Sequence, residues 1–176
     1  MKIQLKYGLI IAITFATITF TILSTHLYDT FIGRFSLLLF FFPTLTICLI
    51  LGIREIREKK YHNEINYAQA LFGGIAISAI AALLLSALFY LFFTFAYPTE
   101  YVDFLIKANK ELLEELQKSP KEIDEIIENI KTVNEPSAQA GNALTTTLIA
   151  GIIISAIASA FLRTKDTFNI QQPDKK

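Results

Sequence analysis

Residues 67–99, YAQALFGGIAISAIAALLLSALFYLFFTFAYPT, decide the fold. The stretch runs 33 residues with no charged side chain. About 20 apolar residues carry a helix across a bilayer, so this one crosses with turns to spare. Tyr67 and Tyr90 are 23 positions apart. That is roughly 34 Å along a helix, the separation of two interfacial aromatic belts. The apolar turns beyond Tyr90, Leu91 to Tyr97, are expected to project past the hydrocarbon or to tilt the helix.

Three further apolar blocks flank it. The N-terminal block covers residues 7–25 and follows Lys2 and Lys6. No small-x-small cleavage site follows it, so it reads as an uncleaved first span rather than a signal peptide. Residues 26–34, HLYDTFIGR, read as a short turn. A second span follows over 35–53, with Pro43 inside it; proline removes one helical hydrogen bond and usually kinks the helix. The third span is 67–97 and the fourth 142–162. Hydrophobic residues make up 53% of the 176 and come in blocks rather than at soluble-protein periods, which is the membrane pattern. Cys48 is the sole cysteine, so no intrachain disulfide is possible.

One large polar segment interrupts the apolar series, residues 99–135, with ten acids and five lysines. Val102, Leu105, Ile106, Leu112, Leu113 and Leu116 share one helical face. Ile123, Ile126, Ile127, Ile130 and Val133 share another. Between them, Ser119-Pro120-Lys121-Glu122 carries a capping box with proline at the first helical position. The segment therefore reads as an amphipathic αα-hairpin. Its acids alternate with lysines at helical spacing, which suits a solvated, salt-bridged face better than a cation site. Asn134-Glu135-Pro136-Ser137 ends it, with Ser137 a candidate cap for the last span. Residues 164–176 read as a flexible polar tail.

None of the four apolar blocks holds a charge, so the basic residues can be counted by side. The N-terminus, the 54–66 loop and the C-terminal tail hold ten of the 16; Arg34 and the hairpin hold six. The positive-inside rule then puts both termini in the cytoplasm and the hairpin outside, in the periplasm of a two-membrane cell. The acids agree, giving net charges of +5 inside and −5 outside.

Small residues recur every fourth position on two spans: Ala70, Gly74, Ser78, Ala82 and Ser86 on the third, and Ala143, Thr147, Gly151, Ser155 and Ser159 on the fourth. Such rows let helix backbones approach closely in lipid. The plainer use is packing of these two spans on each other; the alternative is a homodimer face. The first span carries Thr14, Thr17, Thr21 and Thr25. Hydroxyls bonding back to the preceding turn explain this stripe more simply than a hydrophilic path.

Known chemistries find little foothold. No charged residue lies within a span, which argues against a proton relay, ordinary ion-coupled transport and a voltage sensor. His26 and His62 fall on opposite sides and lack partners at ligand spacing, so no metal site is expected. No GxSxG, HExxH or P-loop pattern occurs, so neither a catalytic residue nor a cofactor site is expected.

The order of features resembles an uncharacterised family of small bacterial membrane proteins, common in the Bacteroidota and catalogued as domain of unknown function 4199. The likeness covers nearly the whole chain. It rests most on Gly52-Ile53-Arg54 with the REIREKK run, and on NYAQALFGG opening the third span. The resemblance implies four spans with a polar insertion before the last, and no activity.

The expectation is an all-α integral membrane protein of the inner membrane, with four transmembrane helices and an extracytoplasmic hairpin. A non-enzymatic interaction or assembly role fits best. It would use the small-residue faces and the hairpin's apolar face, Leu105, Leu112, Leu116, Ile123, Ile126 and Ile130, with lipid and a protein partner or second copy as company and no nucleic acid. The alternative is a small transporter or channel subunit that forms a path only as an oligomer.

Overall fold

The computed structural model describes residues 1–96 and 99–164, excluding the side chains of residues 29, 31–34, 37 and 38. Among the described residues there are six α-helices and no strand: α1 (Lys2–Ser24), α2 (Phe31–Lys60), α3 (Tyr67–Phe95), α4 (Thr99–Glu115), α5 (Pro120–Val133) and α6 (Pro136–Leu162). A 3-10 turn at Leu27–Asp29 joins α1 to α2. Four of the helices, α1, α2, α3 and α6, are long and apolar enough to cross a membrane.

Local chemistry sets the helix ends. Asn66 caps α3 through a reciprocal box: its side chain accepts from the Gln69 N–H at 2.9 Å, and Gln69 Oε1 accepts from the Asn66 N–H at 3.1 Å. The box satisfies two donors that a helix start otherwise leaves orphaned. Ser119 and Glu122 build the same device at the start of α5, as the sequence predicts. Ser137 does not cap α6. Glu135 holds the N-cap position without a side-chain bond, and Pro136 is already helical. Gln139 ties this end down instead, donating from Nε2 to the Val133 carbonyl at 2.9 Å and to Asn134 Oδ1 at 3.2 Å.

Several boundaries move from the expected ones: α1 starts at Lys2 rather than residue 7, and α2 at Phe31 rather than residue 35, so the turn read over 26–34 is shorter than expected. The basic stretch expected as a loop from residue 54 is helical as far as Lys60, because α2 continues beyond its apolar segment. Charged side chains at helical spacing sustain it, with Lys59 4 residues from Glu55 and Glu58 4 from Arg54. The reversal is confined to the residues after it, where His62 and Asn63 take left-handed φ of 49° and 72°. Likewise α6 begins six residues before Asn142, since Pro136 suits a first helical turn.

The second helix runs unbroken through Pro43. Both α2 and α3 touch all three other spans, while α1 and α6 lie at the outer corners. One face of α2, Phe41, Leu45, Leu49, Ile53 and Ile56, is buried against Ile11 of α1 and Ile77 of α3. The bundle is inverted relative to a water-soluble one. Ser78, Thr147, Ser155 and Ser159 are buried, whereas Phe72, Leu83, Ile153 and Phe161 are exposed. A soluble surface does not carry so continuous an apolar coat, whereas lipid accommodates one.

The end bearing residues 54–66 is stitched together. Arg57 donates to the Leu162 carbonyl at 3.3 Å. Thr164 donates from its N–H to the Ile65 carbonyl at 2.8 Å, accepts the Ile65 N–H at 3.0 Å and donates its hydroxyl to the Asn63 carbonyl. Thr164 is thus anchored, and the rest of the expected tail lies outside the described residues. Above it, the Glu55 carboxylate gathers Lys6 at 2.8 Å, Tyr7 OH at 2.9 Å and Lys59 at 2.7 Å. These bonds pin the start of α1 to the charged end of α2.

Candidate functional site

The small-residue rows meet each other inside the chain. Ala70, Gly74, Ser78 and Ala82 of α3 are buried, as are Thr147, Gly151, Ser155 and Ser159 of α6; Ser86 and Ala143 are half-buried. The contact interlocks reciprocally. A Cβ added at Gly74 would lie 2.7 Å from Ser155 Cβ, and one added at Gly151 would fall on the Ser78 side chain. Each serine therefore occupies the space its partner glycine leaves open. With both rows facing inward, neither is available to a second copy.

That leaves the hairpin as the outward-facing feature. Its root is aromatic. Tyr28, buried in the turn after α1, packs its ring edge-on to Tyr101 at 5.0 Å and against Phe104 at 5.4 Å. The cluster continues downward through Phe92 and Phe93 of α3 to Phe20 and Phe89. The apolar end of α3 is therefore partly covered by protein: Phe93 is buried, while Phe95 stays exposed. Tyr97, the expected end of that span, lies outside the described residues. Burial pushes the Tyr101 phenol above its ordinary pKa. On the rim of the root, His26 places Nδ1 2.9 Å from Tyr28 OH and Nε2 3.3 Å from the Glu100 carboxylate. Both side chains of that second pair are well exposed, so it contributes little to stability.

Beyond the root the hairpin stands apart. Val102 and Leu113 are buried, and Leu105, Ile106, Ile123, Ile126, Ile127 and Ile130 are half-buried between α4 and α5. Leu112 is 53% exposed and Leu116 61%. Of the apolar positions the sequence sets on one face of α4, Leu113 is thus buried while Leu112 and Leu116 stay exposed. The charged faces form i,i+4 pairs, among them Lys118–Glu122 at 3.2 Å. The backbone N–H of Ser119, then its hydroxyl, then Lys118, hold the Glu122 carboxyl below its usual range.

Sequence reasoning missed the Tyr28–Tyr101–Phe104 root and the Glu55 cluster. Both join residues far apart in the chain, and only Lys59, one turn from Glu55, gave a local signal. Two of the four first-span threonines behave as the simpler reading has it: Thr21 and Thr25 donate to the carbonyls of Thr17 and Thr21. Among the described residues no three His, Cys, Asp or Glu side chains converge on one point.

Four apolar spans around a small-residue seam, with a polar helical hairpin inserted before the last, define a multi-pass helical membrane protein. Residues 6–164 match the family described as a protein of unknown function (DUF4199), and the chain belongs to that family. No curated protein and no solved structure matches it.

Proposed function

We propose that the protein is a non-enzymatic interaction or assembly module of the inner membrane, and that the α4–α5 hairpin is its docking element. The observation that carries this reading is the exposure of Leu112 and Leu116 at the far end of a hairpin fixed to the bundle by a buried aromatic root. A rigid mount with apolar residues at its tip suits recognition by another protein. Ten acids against five lysines over residues 99–135 make the hairpin anionic, so the matching partner presents apolar residues flanked by basic ones. The same charge disfavours an anionic lipid surface. By the positive-inside count, the termini are cytoplasmic and the hairpin periplasmic.

A path-forming reading has less support, since two of the four threonines it would use, Thr21 and Thr25, spend their hydroxyls on their own helix. Photocrosslinkers placed singly at Leu112, Leu116, Glu111 and Lys121 in native membranes test the proposal. It expects one recurrent adduct from the two leucine positions and little from the two charged ones. Equal adducts at all four positions, or none, would overturn it.

A further inference from the structure

At the charged end of the bundle, a cavity of about 280 Å³ opens between the starts of α1 and α3 and the end of α2. Its polar wall is Gln4 of α1, Lys60 of α2, and Asn66 and Gln69 at the start of α3. Ile56 and Phe72 belong to its apolar side. No carboxylate lines it.

The polar atoms left over in this cavity are donors. The capping box of α3 uses up the acceptors. A backbone N–H can only donate, so Asn66 Oδ1 and Gln69 Oε1 are both turned onto the backbone. That leaves Nδ2 of Asn66 and Nε2 of Gln69 to donate elsewhere. At Gln4 the amide oxygen is buried, so its nitrogen is the polar atom this side chain can offer. Lys60 adds a full charge. Its Nζ lies 5.1 Å from the Tyr61 ring centroid and makes no ion pair among the described residues. Its neighbours on α2 are already spent, Lys59 on Glu55 and Arg54 on Glu58. Three amide nitrogens and an unpaired ammonium suit an anion with several acceptor oxygens.

We propose that this cavity takes the phosphate of an anionic phospholipid. Position selects a lipid over a dissolved anion. The third span begins here, so the cavity lies at headgroup level, where Tyr67 stands at the interface. Phe72, about one turn further into the span, is 69% exposed and gives the lipid's first acyl carbons an apolar track outside the cavity. The cavity itself holds a phosphate and leaves the acyl chains in the bilayer. The net charge of +5 on this end favours anionic over zwitterionic headgroups.

Native mass spectrometry of the full chain, released from micelles with equal amounts of phosphatidylglycerol and phosphatidylcholine, counts the lipids that stay bound. The unmodified chain should retain phosphatidylglycerol in preference. Lys60→Gln should cut that retention roughly tenfold, the worth of one hydrogen bond to a charged group. Gln4→Leu should cut it roughly fivefold, the worth of a neutral one. Circular dichroism and elution volume check that both variants fold. Lys2→Gln removes the same charge from the same end, outside the cavity lining, and should leave retention as it is. A loss from Lys60→Gln no greater than from Lys2→Gln would overturn the proposal, since attraction to a basic end would then suffice. Equal retention of the two lipids would overturn it too. So would displacement of the lipid by inorganic phosphate, which would make the cavity a site for a dissolved anion.

Discussion

Gly151→Ala should destabilise the protein relative to Gly141→Ala, although both changes are made on the same helix. A Cβ at Gly151 would fall on the Ser78 side chain and within 3.7 Å of the Ser78 Cα, whereas a Cβ at Gly141 meets nothing within 4 Å. Both variants gain the helix propensity of alanine over glycine, about 1 kcal/mol. Only Gly151→Ala must also separate two helix backbones, because a serine Cβ cannot rotate aside. Overpacking of this kind costs about 1–3 kcal/mol. The difference between the two variants isolates that term, so it should itself come to about 1–3 kcal/mol. Equilibrium unfolding in mixed detergent micelles measures it. Adding Ser78→Gly to Gly151→Ala removes the obstructing atoms and should recover most of the loss, as a coupling energy between contacting residues. If Gly151→Ala and Gly141→Ala shift the unfolding midpoint alike, the α3–α6 seam is not packed as described.

The remaining predictions concern the hairpin. Ser119→Ala removes the side-chain cap of α5 and should lower its local stability by about 1 kcal/mol, read as faster amide exchange at Ile123–Ile127. Glu122, its partner in the cap, has a folded-state pKa below the unfolded one. Its contribution is therefore complete above the unfolded carboxylate range and is lost as pH falls through the folded value. Glu122→Gln, which can still cap, should blunt this acid-induced loosening. Tyr28→Ala removes the buried ring that holds Tyr101 and Phe104 and should destabilise the root by about 3–5 kcal/mol. Amide protection should fall in the first turns of α4 and persist across the α3–α6 seam; uniform loss would mean that the root and the bundle are one cooperative unit.

Much of this architecture is legible locally. Uncharged length marks the four spans, and the Ser119–Glu122 spacing marks the start of α5, because each signal lies within one or two turns. The residues of the α3–α6 seam are legible for a similar reason: small side chains at every fourth position need only one helix to be noticed. Their mutual register, Gly74 to Ser155 and Gly151 to Ser78, is a property of two helices. Neither sequence row contains it. The end of α2 is misread because charge suggests a loop, yet alternating signs at i,i+4 favour helix. Periodicity sets Leu112, Leu113 and Leu116 on one apolar face of α4, but which of them is buried, Leu113, and which are exposed, Leu112 and Leu116, is not in the spacing.

The account depends on the hairpin and the charged end of α2 lying on opposite sides of one bilayer. Cysteine accessibility tests that directly. In a Cys48→Ser background, single cysteines are introduced as Leu112→Cys or Lys60→Cys, and intact cells are treated with a membrane-impermeant maleimide. Leu112→Cys should be labelled at once and Lys60→Cys only after the membrane is permeabilised. Labelling of Lys60→Cys in intact cells with Leu112→Cys protected, or labelling of both, would contradict the orientation on which the proposed docking role rests.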